Sequence, residues 1–177
     1  MTFTRISQLL TGAVLFVSGL APASASEETL VKLTTPRGVS QSFLLIKPDK
    51  PPVAAVILFA GGHGALKLSG AGRMGWGSGN FLVRTRDTFV RHGLMVAVMD
   101  APADQQNGMN AIFRMGASHA GDIGAVAARL RAEANVPVWL VGTSMGTFSA
   151  AGGAIGAKGI DGLVLTSTIT RAQPSWL

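Results

Sequence analysis

The stretch Val138-Trp139-Leu140-Val141-Gly142-Thr143-Ser144-Met145-Gly146 restricts the fold of this chain more than any other. A short apolar run passes without a linker into G-x-S-x-G and then into an alanine-rich segment, so a buried strand must turn directly into a helix. A serine on such a turn is pushed out beyond the end of the sheet, and Gly142 and Gly146 leave room there for a strained backbone. The same turn aims the Met145 amide, at a helix N-terminus, toward any negative oxygen that forms beside Ser144. The strand before the motif and the helix after it separate it from a chance match in a chain with 23 glycines.

The length of 177 residues fits one domain. A hydrophobic share of 47% and a charged share of only 14% supply a core and exclude a disordered chain. With no cysteine, neither a disulfide nor a thiolate metal site can form, and no H-x-x-x-H or comparable cluster points to a metal. The formal net charge is +6, but the 15 basic residues are scattered, without the basic run or interleaved aromatics of a nucleic-acid surface.

The first 25 residues read as a secretory signal peptide. Met1–Gln8 carries Arg5 and no acid, Leu9–Leu20 is a short apolar run, and Ala21-Pro22-Ala23-Ser24-Ala25 supplies a small-residue site with cleavage expected after Ala25. The run is short for a membrane span, and no cysteine follows to take a lipid. The expectation is a periplasmic or secreted protein with no stable membrane anchor after cleavage; an uncleaved N-terminal anchor is the alternative.

Beyond the signal, Leu30–Thr34 and Gln41–Lys47 flank Pro36-Arg37-Gly38 and predict a hairpin. Val53–Ala60, Leu94–Met99 and Pro137–Val141 are uninterrupted apolar runs, the pattern of strands covered on both faces of a parallel sheet, and Gly162–Ser167 adds a fourth. Helices are predicted over Phe81–His92, Ser118–Ala134 and Met145–Ala157, whereas Gly61–Asn80 and Ala101–Met115 read as loops. Strands alternating with helices predict an α/β domain with a mainly parallel sheet of about six strands flanked by helices. Asp100, at the end of a strand, stands either at the edge of a site or as a loop fastener.

This order of elements, with Phe59-Ala60-Gly61-Gly62-His63-Gly64 at the exit of one strand and Gly142-Thr143-Ser144-Met145-Gly146 at the exit of another, resembles an α/β-hydrolase over about residues 31–170. In general appearance it is similar to small bacterial serine esterases and dienelactone-hydrolase-like proteins. The resemblance implies a domain over 26–177 that spans the N-terminal two-thirds of the fold. It implies hydrolysis of a small-molecule carboxylic ester or related acyl substrate without a cofactor. Ser144 would be the nucleophile, Gly142 and Gly146 the elbow glycines, and Met145 and Gly62 the oxyanion donors, with the His63 amide as the neighbouring choice. A loop that needs positive φ for its geometry alone is the other reading of Gly61–Gly64. His63 and Trp76 would belong to a substrate loop, unless Trp76 simply anchors that loop on the core.

The chain departs from the family after Ser144. The fold places an acid and then a histidine downstream of the nucleophile, yet only Asp161 follows Ser144 and all three histidines precede it. The catalytic histidine and the acid are therefore expected outside this chain. Among the upstream imidazoles His63 is expected nearest Ser144, while His92 and His119 read as surface or helix-end residues. A non-catalytic ligand- or partner-binding protein, or an inactive truncated fragment, is the competing reading. Oligomeric state is not legible, although an apolar sheet edge left uncovered predicts self-association. Gly70-Ala71-Gly72-Arg73-Met74-Gly75 matches a dinucleotide fingerprint in letters only, because it neither follows a strand directly nor opens a helix.

Overall fold

The computed structural model describes residues 27–70 and 72–171, so the expected signal peptide, Met1–Ala25, lies outside the described residues. β1 (Glu28–Thr34) and β2 (Ser40–Ile46) pair antiparallel around a turn in which Gly38 has φ +75°. The apolar runs form β3 (Ala54–Phe59), β4 (Leu94–Met99) and β5 (Val138–Thr143), and β6 (Gly162–Thr166) follows. They make one sheet in the order β1-β2-β4-β3-β5-β6. The β1, β2 and β4 pairings are antiparallel, and β4, β3, β5 and β6 run parallel. The architecture is the expected α/β one, a mainly parallel six-stranded sheet flanked by helices.

Side chains alternate between two cores because successive strand residues face opposite ways. On one face Phe43, Ile57, Phe59, Met95 and Leu140 meet Ile123, Val126 and Leu130 of α4 (Ala117–Glu133), with α5 (Gly146–Gly156) beside it. On the other face Leu44, Val56, Leu58 and Val98 meet Leu66, Leu82, Val83 and Val90. Beyond β5 the cover thins. Trp139 and β6 residues Leu163, Val164 and Leu165 are 38–40% exposed.

Two sequence expectations change. Phe81–His92 is not one helix but α1 (Phe81–Arg84) and α2 (Arg86–Arg91), broken at Thr85, whose hydroxyl donates back to the Phe81 carbonyl at 2.7 Å. Ala101–Met115 is not all loop. It holds a 3-10 turn at Ala103–Gln105 and α3 (Ala111–Met115), capped by Asn110, whose side chain accepts from the Phe113 amide at 2.8 Å.

Candidate active site

Ser144 sits where β5 ends and α5 begins, half-buried and in the left-handed region at φ +52°. A non-glycine residue there stores strain of about 1–3 kcal/mol and needs surroundings that enforce it. Those surroundings are visible. The Ser144 amide donates to the Thr166 carbonyl at 3.2 Å, and its carbonyl accepts from the Thr147 amide (2.9 Å) and hydroxyl (2.6 Å). Met145 then starts the helix at φ −55°.

Gly142 and Gly146 serve the turn through close approach, since neither has positive φ. A Cβ on Gly142 would lie 2.5 Å from the Gly146 carbonyl oxygen and 2.9 Å from Ala150. One on Gly146 would overlap the Phe59 carbonyl and come within 2.8 Å of that of Ala60. Backbone atoms cannot step aside, so glycine at both positions is what lets α5 leave the sheet this steeply.

The glycine loop after β3 lies alongside. A Cβ built on Gly61 would be 3.1 Å from the Ser144 Cβ and 3.4 Å from the Asn80 amide nitrogen, which places Ser144, the loop and Asn80 together. Asn80 had no sequence signal. Its Oδ1 is buried and finds no partner among the described residues. Gly62 (φ +60°) and Gly64 (φ +74°) do need positive φ, and the Trp76 ring would stand 2.7 Å from a Cβ on Gly62. Neither the Gly62 nor the Met145 amide donates to a backbone acceptor among the described residues.

Trp76 covers this loop, its ring tilted on that of His63 at 3.8 Å between centroids, while it also packs on the Leu44–Leu58 core face. His63 itself is exposed, and its Nδ1 accepts from the Ala65 amide at 3.1 Å. An acceptor Nδ1 leaves the proton of the neutral ring on Nε2, so His63 presents a donor, not a free lone pair. Asp100 is a loop fastener. Buried at the end of β4, its carboxylate accepts from the amides of Leu66 (2.6 Å), Lys67 (3.2 Å), Leu68 (2.9 Å) and Ala101 (2.8 Å). Near the Gly70-to-Gly75 match, Leu68 and Met74 form an isolated antiparallel bridge.

The other histidines and the late acid stand elsewhere. His92 is exposed at the end of α2, its Nδ1 2.8 Å from the Thr88 carbonyl oxygen. His119 stands in the first turn of α4, as a helix-end residue was expected to, but not at the surface: it is fully buried between Phe59 and Phe113, and both ring nitrogens are without partners among the described residues. Burial, then the charges of Arg114 and Arg37, push its pKa down to about 3. Asp161 accepts from the Val138 amide at 2.8 Å and pairs with Arg131, at the end of β5 opposite to Ser144. No described side chain hydrogen-bonds the Ser144 hydroxyl. Among the described residues no group of three or more His, Asp or Glu could hold a metal ion, and no helix is long and apolar enough to cross a membrane.

Sequence reasoning missed Arg114 altogether. Its guanidinium, 1% exposed, donates to the carbonyls of Gly62 (3.0 Å) and Met109 (3.2 Å) and to the Ser149 hydroxyl (2.9 Å). Burial lowers its pKa to about 10, which leaves it charged at neutral pH.

No protein-family model and no curated protein matches the chain. Solved structures do. A PEG-bound cold-adapted esterase from an Arctic intertidal metagenomic library superimposes with a TM-score of 0.58 at 19% identity, covering 84% of this chain and 64% of its own. A thermostable carboxyl esterase from Bacillus coagulans gives 0.55 at 17%, covering 80% and 44%. An α/β serine hydrolase without a lid from Xanthomonas campestris gives 0.56 at 16%, covering 82% and 63%. These likenesses show an α/β-hydrolase fold, of which this chain spans between 44% and 64% of the compared structures' length.

Proposed function

We propose that this protein is a serine hydrolase of carboxylic esters or related acyl compounds, with Ser144 as nucleophile on a nucleophile elbow. The observation that carries the reading is the left-handed Ser144, held on a strand-to-helix turn directly against Gly61. The close approaches of the turn fall at Gly142 and Gly146, whereas the left-handed strain is kept at Ser144 itself. It brings the hydroxyl out over the sheet end, beside two amides free to receive charge. The Ser144 oxygen attacks the acyl carbon, the carbonyl π pair moves to oxygen, and the Met145 amide together with the Gly62 or the neighbouring His63 amide donates to that oxyanion. Collapse expels the alcohol with the proton taken from Ser144, and water then releases the acid.

The base that carries that proton is assigned to none of the three histidines. The His119 ring is enclosed by Phe59 and Phe113, the His92 Nδ1 lies against the Thr88 carbonyl, and the Nδ1 of His63 is engaged by Ala65. The esterases and the lid-less serine hydrolase that share the fold support acyl substrates as the class. Export through Met1–Ala25 belongs to the same proposal and rests on the sequence pattern of that segment. The Ser144 hydroxyl, which no described side chain hydrogen-bonds, favours one second reading, a ligand-binding protein that keeps the elbow without turnover.

Labelling by a fluorophosphonate probe, beside a Ser144→Ala control, separates the two. Labelling that vanishes in the control supports the nucleophile. Equal signals in both proteins, or none in either, refute it.

A further inference from the structure

We propose that Arg114 is the positioning residue of the oxyanion loop, holding the Gly62 carbonyl so that the amides of that loop face Ser144 in register with α5. The proposal rests on the reading of Ser144 as a nucleophile, and it is argued from what the guanidinium touches.

A fully buried arginine is unusual, because taking its charge out of water is costly unless other groups answer it. No carboxylate pairs with Arg114 among the ion pairs of the described residues. Its answer is three neutral acceptors on three separate segments: Met109 ahead of α3, Ser149 inside α5, and Gly62 in the glycine loop. Only a planar fork with fixed donor directions can satisfy acceptors so arranged. Two glycines make space for it. A Cβ on Gly64 would overlap the guanidinium, and one on Gly152 would lie 2.6 Å from the Arg114 carbonyl oxygen, so α3 approaches α5 only because that position is glycine.

The consequence for the loop follows from peptide planarity. A peptide whose oxygen is held has its N–H held too, pointing the other way. Arg114 holds the Gly62 oxygen, and the Met109 amide holds the His63 oxygen at 2.9 Å, so two successive carbonyls are drawn to the 109–114 segment. The amides of His63 and Gly64 are thereby turned to the opposite side. Ser149 lies one turn from Gly146, so the same guanidinium ties the loop to the helix whose first turn presents Met145. A positive charge behind the Gly62 carbonyl also polarises that peptide and strengthens the His63 N–H as a donor to negative oxygen. Arg37, Arg86, Arg129 and Arg131 pair with carboxylates; Arg114 binds the loop.

The test uses the full chain with Arg114→Lys and Arg114→Met, each checked for folding by near-ultraviolet circular dichroism. Two quantities are read: the rate of fluorophosphonate labelling across probe concentration, and the amide exchange and 15N shifts of Gly62 and His63. Arg114→Met is expected to slow the maximal labelling rate roughly a hundredfold with little change in half-saturation, the scale of losing one oxyanion donor. Arg114→Lys restores charge without the fork and is expected to recover only part of that loss. The His63 amide is expected to shift and exchange faster in both. Labelling at the wild-type rate in a folded Arg114→Met protein, or unmoved Gly62 and His63 amides, overturns the proposal. If the wild type does not label, the nucleophile reading fails, and the amide measurements alone decide whether Arg114 sets the loop. If Arg114→Met does not fold, the lysine variant decides on the same two readouts.

Discussion

Acid should unfold this protein through His119. The ring is fully buried against Phe59 and Phe113, neither nitrogen has a partner among the described residues, and the guanidinium groups of Arg114 and Arg37 oppose a further positive charge. Its pKa is held near 3 in the fold against 6.5 in the free side chain. Above 6.5 the ring is neutral whether the chain is folded or not, so the stability is fully present there. Between 6.5 and 3 the unfolded chain takes up a proton that the folded one refuses, and stability is lost as pH falls, by about 1.4 kcal/mol per unit. Two units below 6.5 the loss is about 3 kcal/mol, a large share of a typical domain's margin. Asp104 and Glu133, both held low by their basic partners, are common to the wild type and a His119 variant, so the difference between the two proteins isolates His119. His119→Leu keeps the volume and removes the titration. Urea unfolding followed by tryptophan fluorescence, at about pH 7.5 and about pH 4.5, should show the variant gaining about 3 kcal/mol on the wild type between the two. At neutral pH the two should be close, since leucine also removes two unsatisfied polar atoms. A wild-type and variant gap that stays constant across the range would refute the reasoning, as would a His119 ring that titrates near 6.5 in the folded protein.

Three further outcomes follow from the geometry. Ser144→Gly relieves the left-handed strain and should stabilise the protein by about 1 kcal/mol while abolishing probe labelling; a lower melting temperature than Ser144→Ala would contradict the strain. Gly146→Ala forces a Cβ into the Phe59 carbonyl and should cost about 3 kcal/mol or prevent folding, read from the urea midpoint; a neutral effect would mean α5 can move. Arg37 spans the β1–β2 turn to fully buried Asp122 (2.7 Å) and to Asp104 (2.8 Å), so Arg37→Ala should destabilise by about 3 kcal/mol by leaving a buried carboxylate unpaired. Adding Asp122→Asn should recover part of that loss, and equal stabilities of the single and double variants would speak against the pairing.

The readings that matched the structure share one property. Leu94–Met99 was legible as a strand with the same bounds it has in the fold, and Val53–Ala60 and Pro137–Val141 differ from β3 and β5 by one or two residues at their ends. Each is an apolar run whose burial on both faces is written into consecutive letters. The helix read over Ser118–Ala134 is likewise α4 shifted by one residue. Two helix misses fell where a polar side chain bonds a nearby backbone group. Phe81–His92 broke at Thr85 through a hydroxyl that prefers a local carbonyl, and α3 went unread although Asn110, three residues before Phe113, is an N-cap signal.

What the sequence by itself determined is the order of strands and helices, the strand-to-helix turn at Ser144 and the glycine-rich exit after β3. Each of these depends on neighbours within a few residues: hydrophobic alternation, backbone freedom and helix-end preference. Only the tertiary structure decided where the polar residues went. Arg114 and His119 look like an ordinary charge in a loop-like stretch and an ordinary helix-start residue, yet both are buried. Arg114 is there because α3, α5 and the glycine loop converge on it, and His119 because Phe59 and Phe113 close over it. Solvation of a charge depends on which distant segments enclose it, and no local pattern of letters records that enclosure.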